Sequence, residues 1–239
     1  MQSNKFMKKV IVLPTYNERK NVQELIPLLF RHVPDAVVIV VDDNSPDDTA
    51  KAVELLQTKY QKLLLLRRKG KEGLGKAYTH AFKVILKDAS VDVVIMMDAD
   101  FSHNPEYLPL MLEKLNESDV VIGSRYIAGG ATSGWELWRR FLSRSANFYC
   151  RLITGMPIND CTGGFNVMRA ETMRKLDLDK LDLSGYAFIM ELKYAFHRVG
   201  ARFAEHPIVF ANRKEGESKM SSHIIREGVL APWKMRLKK

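Results

Sequence analysis

Short apolar runs alternate with amphipathic stretches through the first half of the chain. Residues 8–13, 37–41, 63–66, 91–97 and 120–123 each carry a run of Val, Ile, Leu or Met. Runs of that length, bounded by Asn, Asp, Gly or Pro, predict strands buried on both faces. Between them, residues 21–32, 48–60, 76–87 and 105–116 place apolar side chains at helical spacing, as Val53 and Leu56 do. Asp48 is the expected N-cap of its helix. The alternation predicts an α/β fold with a mostly parallel central sheet. The second half is less regular. Residues 135–156 read as one long amphipathic helix, 160–164 as a loop, 186–199 as a helix and 202–210 as a strand. Residues 211–222 are polar and loop-like. The expected organisation is one catalytic-sized domain over residues 1–222, followed by a basic amphipathic tail over 223–239.

Composition narrows the class. The 239 residues are 46% hydrophobic and 27% charged, the profile of a globular protein, with a formal net charge of +9. That surplus points to an anionic partner (nucleic acid, a phosphorylated substrate or a lipid surface) or to simple solubility. Cys150 and Cys161 form neither a disulfide framework nor a zinc pattern, so a reducing, cytoplasmic setting is expected. The apolar run 10–13 is too short for a signal-peptide core, and no run approaches the ~18 residues of a membrane span. Any work at a membrane is expected from its surface.

Candidate chemistry collects where strands end, the place where parallel sheets bind ligands. Asp98-Ala99-Asp100 closes the run 91–97. Two carboxylates there can share a hard divalent cation that holds a diphosphate, or they can cap a helix. Asp42-Asp43-Asn44-Ser45-Pro46 suits a ribose or base edge, an Asx-turn, or both. Gly70 to Ala77 has P-loop spacing, but Ala77 stands where the magnesium-binding Ser or Thr belongs, which speaks against an ATPase or GTPase. Gly123-Ser124-Arg125 ends another strand, and Arg125 reads as a phosphate-neutralising cation or a surface arginine. Residues 135–151 mix Trp, Phe, Tyr and Arg, a pattern shared by membrane interfaces, arginine-faced core helices and single-strand binders. Arg213, Lys214 and Lys219 flank Gly216-Glu217-Ser218 in a loop that could close over phosphate or lie solvated. His80, His103 and His197 lack metal-ligand spacing and read as structural.

Six segments recur together in one known order. They are Pro14-Thr15-Tyr16-Asn17-Glu18, residues 41–47, Asp98-Ala99-Asp100, Gly123-Ser124-Arg125, residues 135–144 and residues 213–219. The set resembles the polyprenyl- and dolichyl-phosphate mannosyltransferases among the family 2 glycosyltransferases, from about residue 10 to residue 220. The resemblance implies a GT-A fold, a single Rossmann-like domain. It implies transfer of mannose from GDP-mannose to a polyprenyl or dolichyl phosphate, with inversion and with Mg2+ or Mn2+. Carried over by motif, Pro14, Tyr16, Glu18, Val41 and Asp43 would line the guanosine pocket, and Asp98, Ala99 and Asp100 would meet nucleotide and metal. Ser102 stands where some members carry a Gln metal ligand; its shorter hydroxyl leaves room for a water. Arg125, Arg213 and Lys219 would contact donor phosphates, and Arg125, Arg139 and Ser143 the lipid phosphate. Asp100, Arg125 and Arg139 are the residues expected to carry catalysis. The protein would be peripheral on the cytoplasmic face of a membrane, alone or with a separate membrane-anchoring subunit, and would bind no nucleic acid. The nearest alternative keeps the fold and changes the donor, for instance to UDP-glucose. An alternative of another class is a non-catalytic basic module that binds membrane or nucleic acid, against which the strand-end acids speak.

Overall fold

The computed structural model describes residues 7–181, 185–211 and 222–238. The chain alternates strand and helix from its start. In order run β1 (Lys8–Thr15), α1 (Arg19–His32), β2 (Val37–Asp42), α2 (Thr49–Gln57), β3 (Leu63–Arg67), α3 (Leu74–Ile85) and β4 (Val91–Met96). A 3-10 turn at Pro105–Tyr107 leads into α4 (Leu108–Lys114), then β5 (Val120–Ser124). Beyond it lie β6 (Ala131–Thr132), α5 (Leu137–Thr154), β7 (Asn166–Arg169), α6 (Ala170–Met173), α7 (Gly185–Arg198), β8 (Phe203–Pro207), β9 (Val209–Phe210) and α8 (Ser222–Leu237).

The seven-stranded sheet has the order β3-β2-β1-β4-β7-β5-β8. β1 pairs parallel with β2 on one side and β4 on the other. The chain winds outward from β1 to β3, then returns to β4, so the strand order reverses at β1. The crevice above the carboxyl ends of β1 and β4 is therefore the topological switch point. Both faces of the sheet are covered. Val10, Val12 and Met96 pack with Tyr78, Phe82, Phe188 and Phe196 on one side, and Ile11 and Leu13 with Leu25, Leu29 and Met111 on the other. That double burial explains the apolar runs of β1, β2 and β4.

Three features depart from the expected pattern. β7 runs antiparallel between β4 and β5; its four residues, bounded by Asn166 and Arg169, are too short and polar-ended to show as a strand. The expected strand 202–210 divides at Ile208. β8 pairs with β5 as far as Pro207, whose ring removes a donor, and β9 leaves to pair with β6. The expected cap of α2 also moves. Asp48 takes a left-handed backbone (φ 64°) with no side-chain cap. Asp47 serves instead, accepting from the backbone N–H of Thr49 and of Arg19, each at 3.0 Å. The tail is helical, and α8 inserts Ala231 and Met235 into the core against α5 and α7.

Candidate active site

β4 delivers the acidic pair to a tight turn. Phe101 has φ 64°, a left-handed conformation that a bulky residue adopts only when its surroundings hold it there. Two hydrogen bonds close the turn. The Ser102 N–H donates to Asp100 Oδ1 at 3.0 Å, and the Asp98 N–H donates to His103 Nδ1 at 2.9 Å. Burial pushes the His103 imidazole down to about 4, so it is neutral at pH 7 and its bare Nδ1 is the acceptor. His103 stacks on Phe165 with ring centroids 5.0 Å apart. Gly164 lies beside it, where a Cβ would stand 3.4 Å from His103 Cε1 and 3.8 Å from Asp98 Oδ2. Asp98 keeps about a quarter of its side chain exposed, and Asp100 is buried.

These residues suit a hard cation. Ser102 Oγ is buried beside the pair and has no hydrogen-bond partner, leaving an oxygen donor available. Among the described residues no three His, Cys, Asp or Glu side chains form a closed metal cage. Two carboxylates and a hydroxyl are the partial shell that magnesium or manganese completes with water and substrate phosphate.

The ends of β1 and β2 form the neighbouring wall. Pro14 stands opposite Val41 in register, and the Asp43 N–H donates to Thr15 O at 3.1 Å. Asp42 is used up locally: it accepts from Thr15 Oγ1 at 3.0 Å, Ser45 N–H at 3.0 Å and Ser45 Oγ at 2.6 Å. The Asx-turn reading holds for Asp42. Arg68 pairs with Asp43, both side chains buried. Burial raises the Asp43 carboxyl above its ordinary value despite the Arg68 charge. Lys71 Nζ lies 4.1 Å over the Tyr16 ring, a cation–π contact. Glu18 accepts from Asn21 Nδ2 at 2.6 Å and lines a cleft of about 400 Å3 with Asn17, Arg19 and Asp47.

Arg125 and its neighbours rest on a buried polar network. Arg125 meets Asp160 twice, Nε to Oδ2 and Nη2 to Oδ1, both at 2.7 Å. Its Nη2 also donates to Thr162 Oγ1 at 2.8 Å. Lys193 of α7, fully buried, donates to the carbonyls of Asp160 and Gly163, both at 2.8 Å. Burial alone would raise the Asp160 carboxyl, but Arg125 and Lys193 hold it down to about 2. Burial pushes the Lys193 amine down to about 8 against the pull of Asp160. Asn147 ties α5 to the same loop, its Oδ1 accepting from Cys161 N–H at 2.7 Å and Thr162 N–H at 3.1 Å.

On α5, the Arg139 guanidinium lies 4.0 Å over the Trp135 ring, and Tyr126 Oη hydrogen-bonds Ser143 Oγ at 2.6 Å. Trp135 packs edge-on to Phe210 at 5.6 Å, and Phe210 packs edge-on to His103 at 5.5 Å. Arg125 also faces Phe210, at 5.4 Å. A continuous cluster thus joins Asp98, His103, Arg125, Arg139 and Ser143, which are dispersed in sequence. Arg213 and Lys219, with the glycine loop between them, lie outside the described residues. The sequence patterns missed Arg68, Lys71, Asp160 and Lys193, and they left His103 as merely structural. Gly163, three residues after Asp160, was the available signal, since a Cβ there would stand 3.0 Å from Asp160 Oδ1.

The chain is similar to known proteins over nearly its whole length. The chain is 38% identical over 224 residues to undecaprenyl-phosphate mannosyltransferase of Micrococcus luteus, covering 94% of this chain and 92% of that one. It is 39% identical over 232 residues to polyprenol monophosphomannose synthase of Mycolicibacterium smegmatis, covering 95% and 87%. Among solved structures, glucosyl-3-phosphoglycerate synthase of Mycobacterium tuberculosis, in complex with Mn2+, UDP-glucose and glycerol 3-phosphate, superposes with TM-score 0.68 at 18% identity over 97% of this chain and 80% of that one. The mannosyltransferase PcManGT of Pyrobaculum calidifontis, in complex with GDP-mannose and Mn2+, superposes with TM-score 0.61 at 16% identity over 95% and 70%. These likenesses establish the fold as GT-A, with its mostly parallel seven-stranded sheet. Residues 10–177 match the model of glycosyl transferase family 2, and with relatives this similar over nearly its whole length, the chain belongs to that family.

Proposed function

We propose that this glycosyltransferase moves mannose from GDP-mannose to a polyprenyl phosphate, inverting the anomeric carbon, with a divalent cation at the acidic turn. The names of the relatives support the sugar and the acceptor. The observation that carries the residue roles is the cluster joining Asp98 and His103 to Arg125 and Arg139. It brings an oxygen-rich cation shell and two guanidiniums into one assembly, as a reaction between two phosphorylated molecules requires.

Donor binding falls to the strand ends. Tyr16, Glu18, Pro14 and Val41 would wall the nucleoside, and Asp43, steadied by Arg68, would accept from the base. A magnesium or manganese ion held by Asp98, Asp100 and Ser102 would act as Lewis acid on the leaving diphosphate. The acceptor is its own nucleophile: a phosphate monoester is mostly ionised at neutral pH, its second pKa being ~6. No protein base is then needed, and the chain's task is to overcome repulsion between anions. Arg139 and Ser143 would hold the acceptor phosphate, with Arg125 adding positive potential. If Tyr126 supplies the hydrogen of its bond to Ser143, the Ser143 proton is left for the ligand. Arg213 and Lys219 would add donor-phosphate contacts.

The acceptor's lipid chain places the reaction at a membrane surface. On α5, Leu137, Phe141, Phe148 and Leu152 are exposed, and on α8 Val229, Trp233 and Leu237 are. The two helices are tied where Trp233 Nε1 donates to Tyr149 Oη at 2.9 Å. Arg140, Arg144 and Arg151 are exposed on the same α5. Aromatic and aliphatic side chains among arginines suit the headgroup layer of an anionic bilayer. No helix among the described residues is long and apolar enough to cross a membrane.

The test offers a short polyprenyl phosphate with a panel of nucleotide sugars, with manganese and with a chelator. The expected product is polyprenyl-phosphate mannose, from GDP-mannose only, and lost on chelation. Product mass showing glucose from UDP-glucose at a matching rate would replace the donor assignment.

A further inference from the structure

The side chains of Trp138 and Trp233, both exposed, each have a partner for the indole N–H: Glu136 for Trp138 and Tyr149 for Trp233. Trp135 reverses this. It is the buried indole, 9% exposed, and its Nε1 has no hydrogen-bond partner. An indole nitrogen is a donor only, so nothing but an acceptor can satisfy it. A buried donor left without one is uncommon and calls for a reason.

The surroundings narrow the missing acceptor. Arg139 lies over one face of the ring at 4.0 Å, and Arg125 stands 5.7 Å from its centre. Phe210 closes an edge at 5.6 Å. Arg139 over the ring, with Arg125 beyond it and already paired to Asp160, favours an anionic oxygen over a neutral one. Gly134, at φ 70°, lets the chain turn so that Trp135 enters the cluster just before α5 begins.

We propose that Trp135 is an acceptor-binding residue, its Nε1–H donating to a phosphate oxygen of the polyprenyl phosphate between Arg125 and Arg139. The donor rests on the reading that Arg139 binds that phosphate. Its fixed direction would add orientation to the charge that Arg139 supplies, aligning the attacking oxygen.

Trp135→Phe keeps a ring under Arg139 and removes only the N–H. The expected result is a rise of about 10-fold in KM for a short polyprenyl phosphate, with KM for GDP-mannose unchanged. The thermal midpoint without ligand should not fall, because a buried unsatisfied donor has been removed; a packing role would lower it. Arg139→Ala is measured alongside. If it raises the acceptor KM while Trp135→Phe stays within twofold of wild type, the proposal fails and the phosphate site stands. If neither moves the acceptor KM, both readings fail. A rise confined to the GDP-mannose KM overturns the assignment to the acceptor. A second measurement needs no variant at position 135. In protein with nitrogen-15 indoles, assigned through Trp138→Phe and Trp233→Phe, adding the short polyprenyl phosphate should shift the Trp135 N–H downfield. An unmoved signal at saturating acceptor refutes the bond.

Discussion

The two halves of the molecule are held together by different physics. The donor half, from β1 to β5, is a stack of parallel strands whose Val and Ile residues are buried on both faces. The acceptor half, from Arg125 to β9, hangs on a buried polar network around Asp160. There Arg125, Lys193, Asn147 and Glu205 spend their hydrogen bonds on one five-residue loop. An apolar sheet tolerates carboxylates at its strand ends because the burial beneath them is independent of charge. A polar network gives no such freedom, since each partner removed strands another. Charge changes at the strand-end acids should therefore harm chemistry, and those within the Asp160 network should harm folding.

The largest effect is expected at Asp100. Asp100→Asn keeps an acceptor for the Ser102 N–H and removes the charge. Transfer should fall by about 10^3-fold, the scale of several kcal/mol of charge stabilisation. The urea midpoint should stay near wild type. A kcat within tenfold of wild type would remove Asp100 from the cation shell.

Asp160→Asn should do the reverse. It leaves Arg125 and Lys193 buried without their carboxylate, at a cost of about 3–5 kcal/mol in unfolding free energy. The pH dependence has a definite sign. The Asp160 carboxyl is held below its unfolded value, so its stabilisation is present above pH ~4 and is lost as pH falls toward 2. Lys193, held down to about 8, binds fewer protons folded than unfolded between pH 8 and its ordinary range near 10.5. Stability relative to Lys193→Met should thus rise with pH across that window. A urea midpoint that falls there would reverse the sign.

The same contrast explains what was legible in the sequence. β1, β2, β4 and β5 stood out because burial on both faces writes itself as an apolar run. Asp98, Asp100 and Asp43 stood out as candidates because strand ends are where such sheets bind ligands. The α5 helix was legible through its aromatic and arginine spacing. β7 was not, because a four-residue strand between Asn166 and Arg169 carries no period. The Arg125–Asp160 pair spans 35 residues and joins two loops, so no local pattern encodes it. Arg125 read as a phosphate cation or a surface arginine because its buried partner lies 35 residues away. His103 lacked metal-ligand spacing, and its role becomes visible only when its ring is seen turned back onto the Asp98 N–H.

His103 sits where the two halves meet, so its variants separate packing from positioning. His103→Asn places an amide oxygen where Nδ1 accepts. His103→Phe keeps the stack on Phe165 and loses the acceptor. If holding Asp98 is what matters, Phe should weaken manganese binding in the presence of GDP about 10–100-fold, while Asn restores most of it. Manganese resonance without turnover reads this directly. Equal loss in both variants would mean that the ring, not the hydrogen bond, sets the turn.

The smallest effects are expected at the surface, and they extend the comparison outward. Both halves expose apolar side chains, Leu55 on α2 and Leu64 on β3 in the first half among them. On α5, Phe141 and Phe148 alternate with Arg140 and Arg144. Each arginine near an anionic bilayer is worth about 1 kcal/mol, so Arg140→Gln and Arg144→Gln should each weaken binding to phosphatidylserine vesicles about fivefold. Raising salt should erase that difference as screening shortens to a few ångströms. Phe141→Ser should weaken binding at any salt, and Leu55→Ser should not weaken it at all. If Leu55→Ser mattered as much as Phe141→Ser, the membrane face would not be confined to the acceptor half. The polar network would then have no special claim to holding the lipid side of the enzyme.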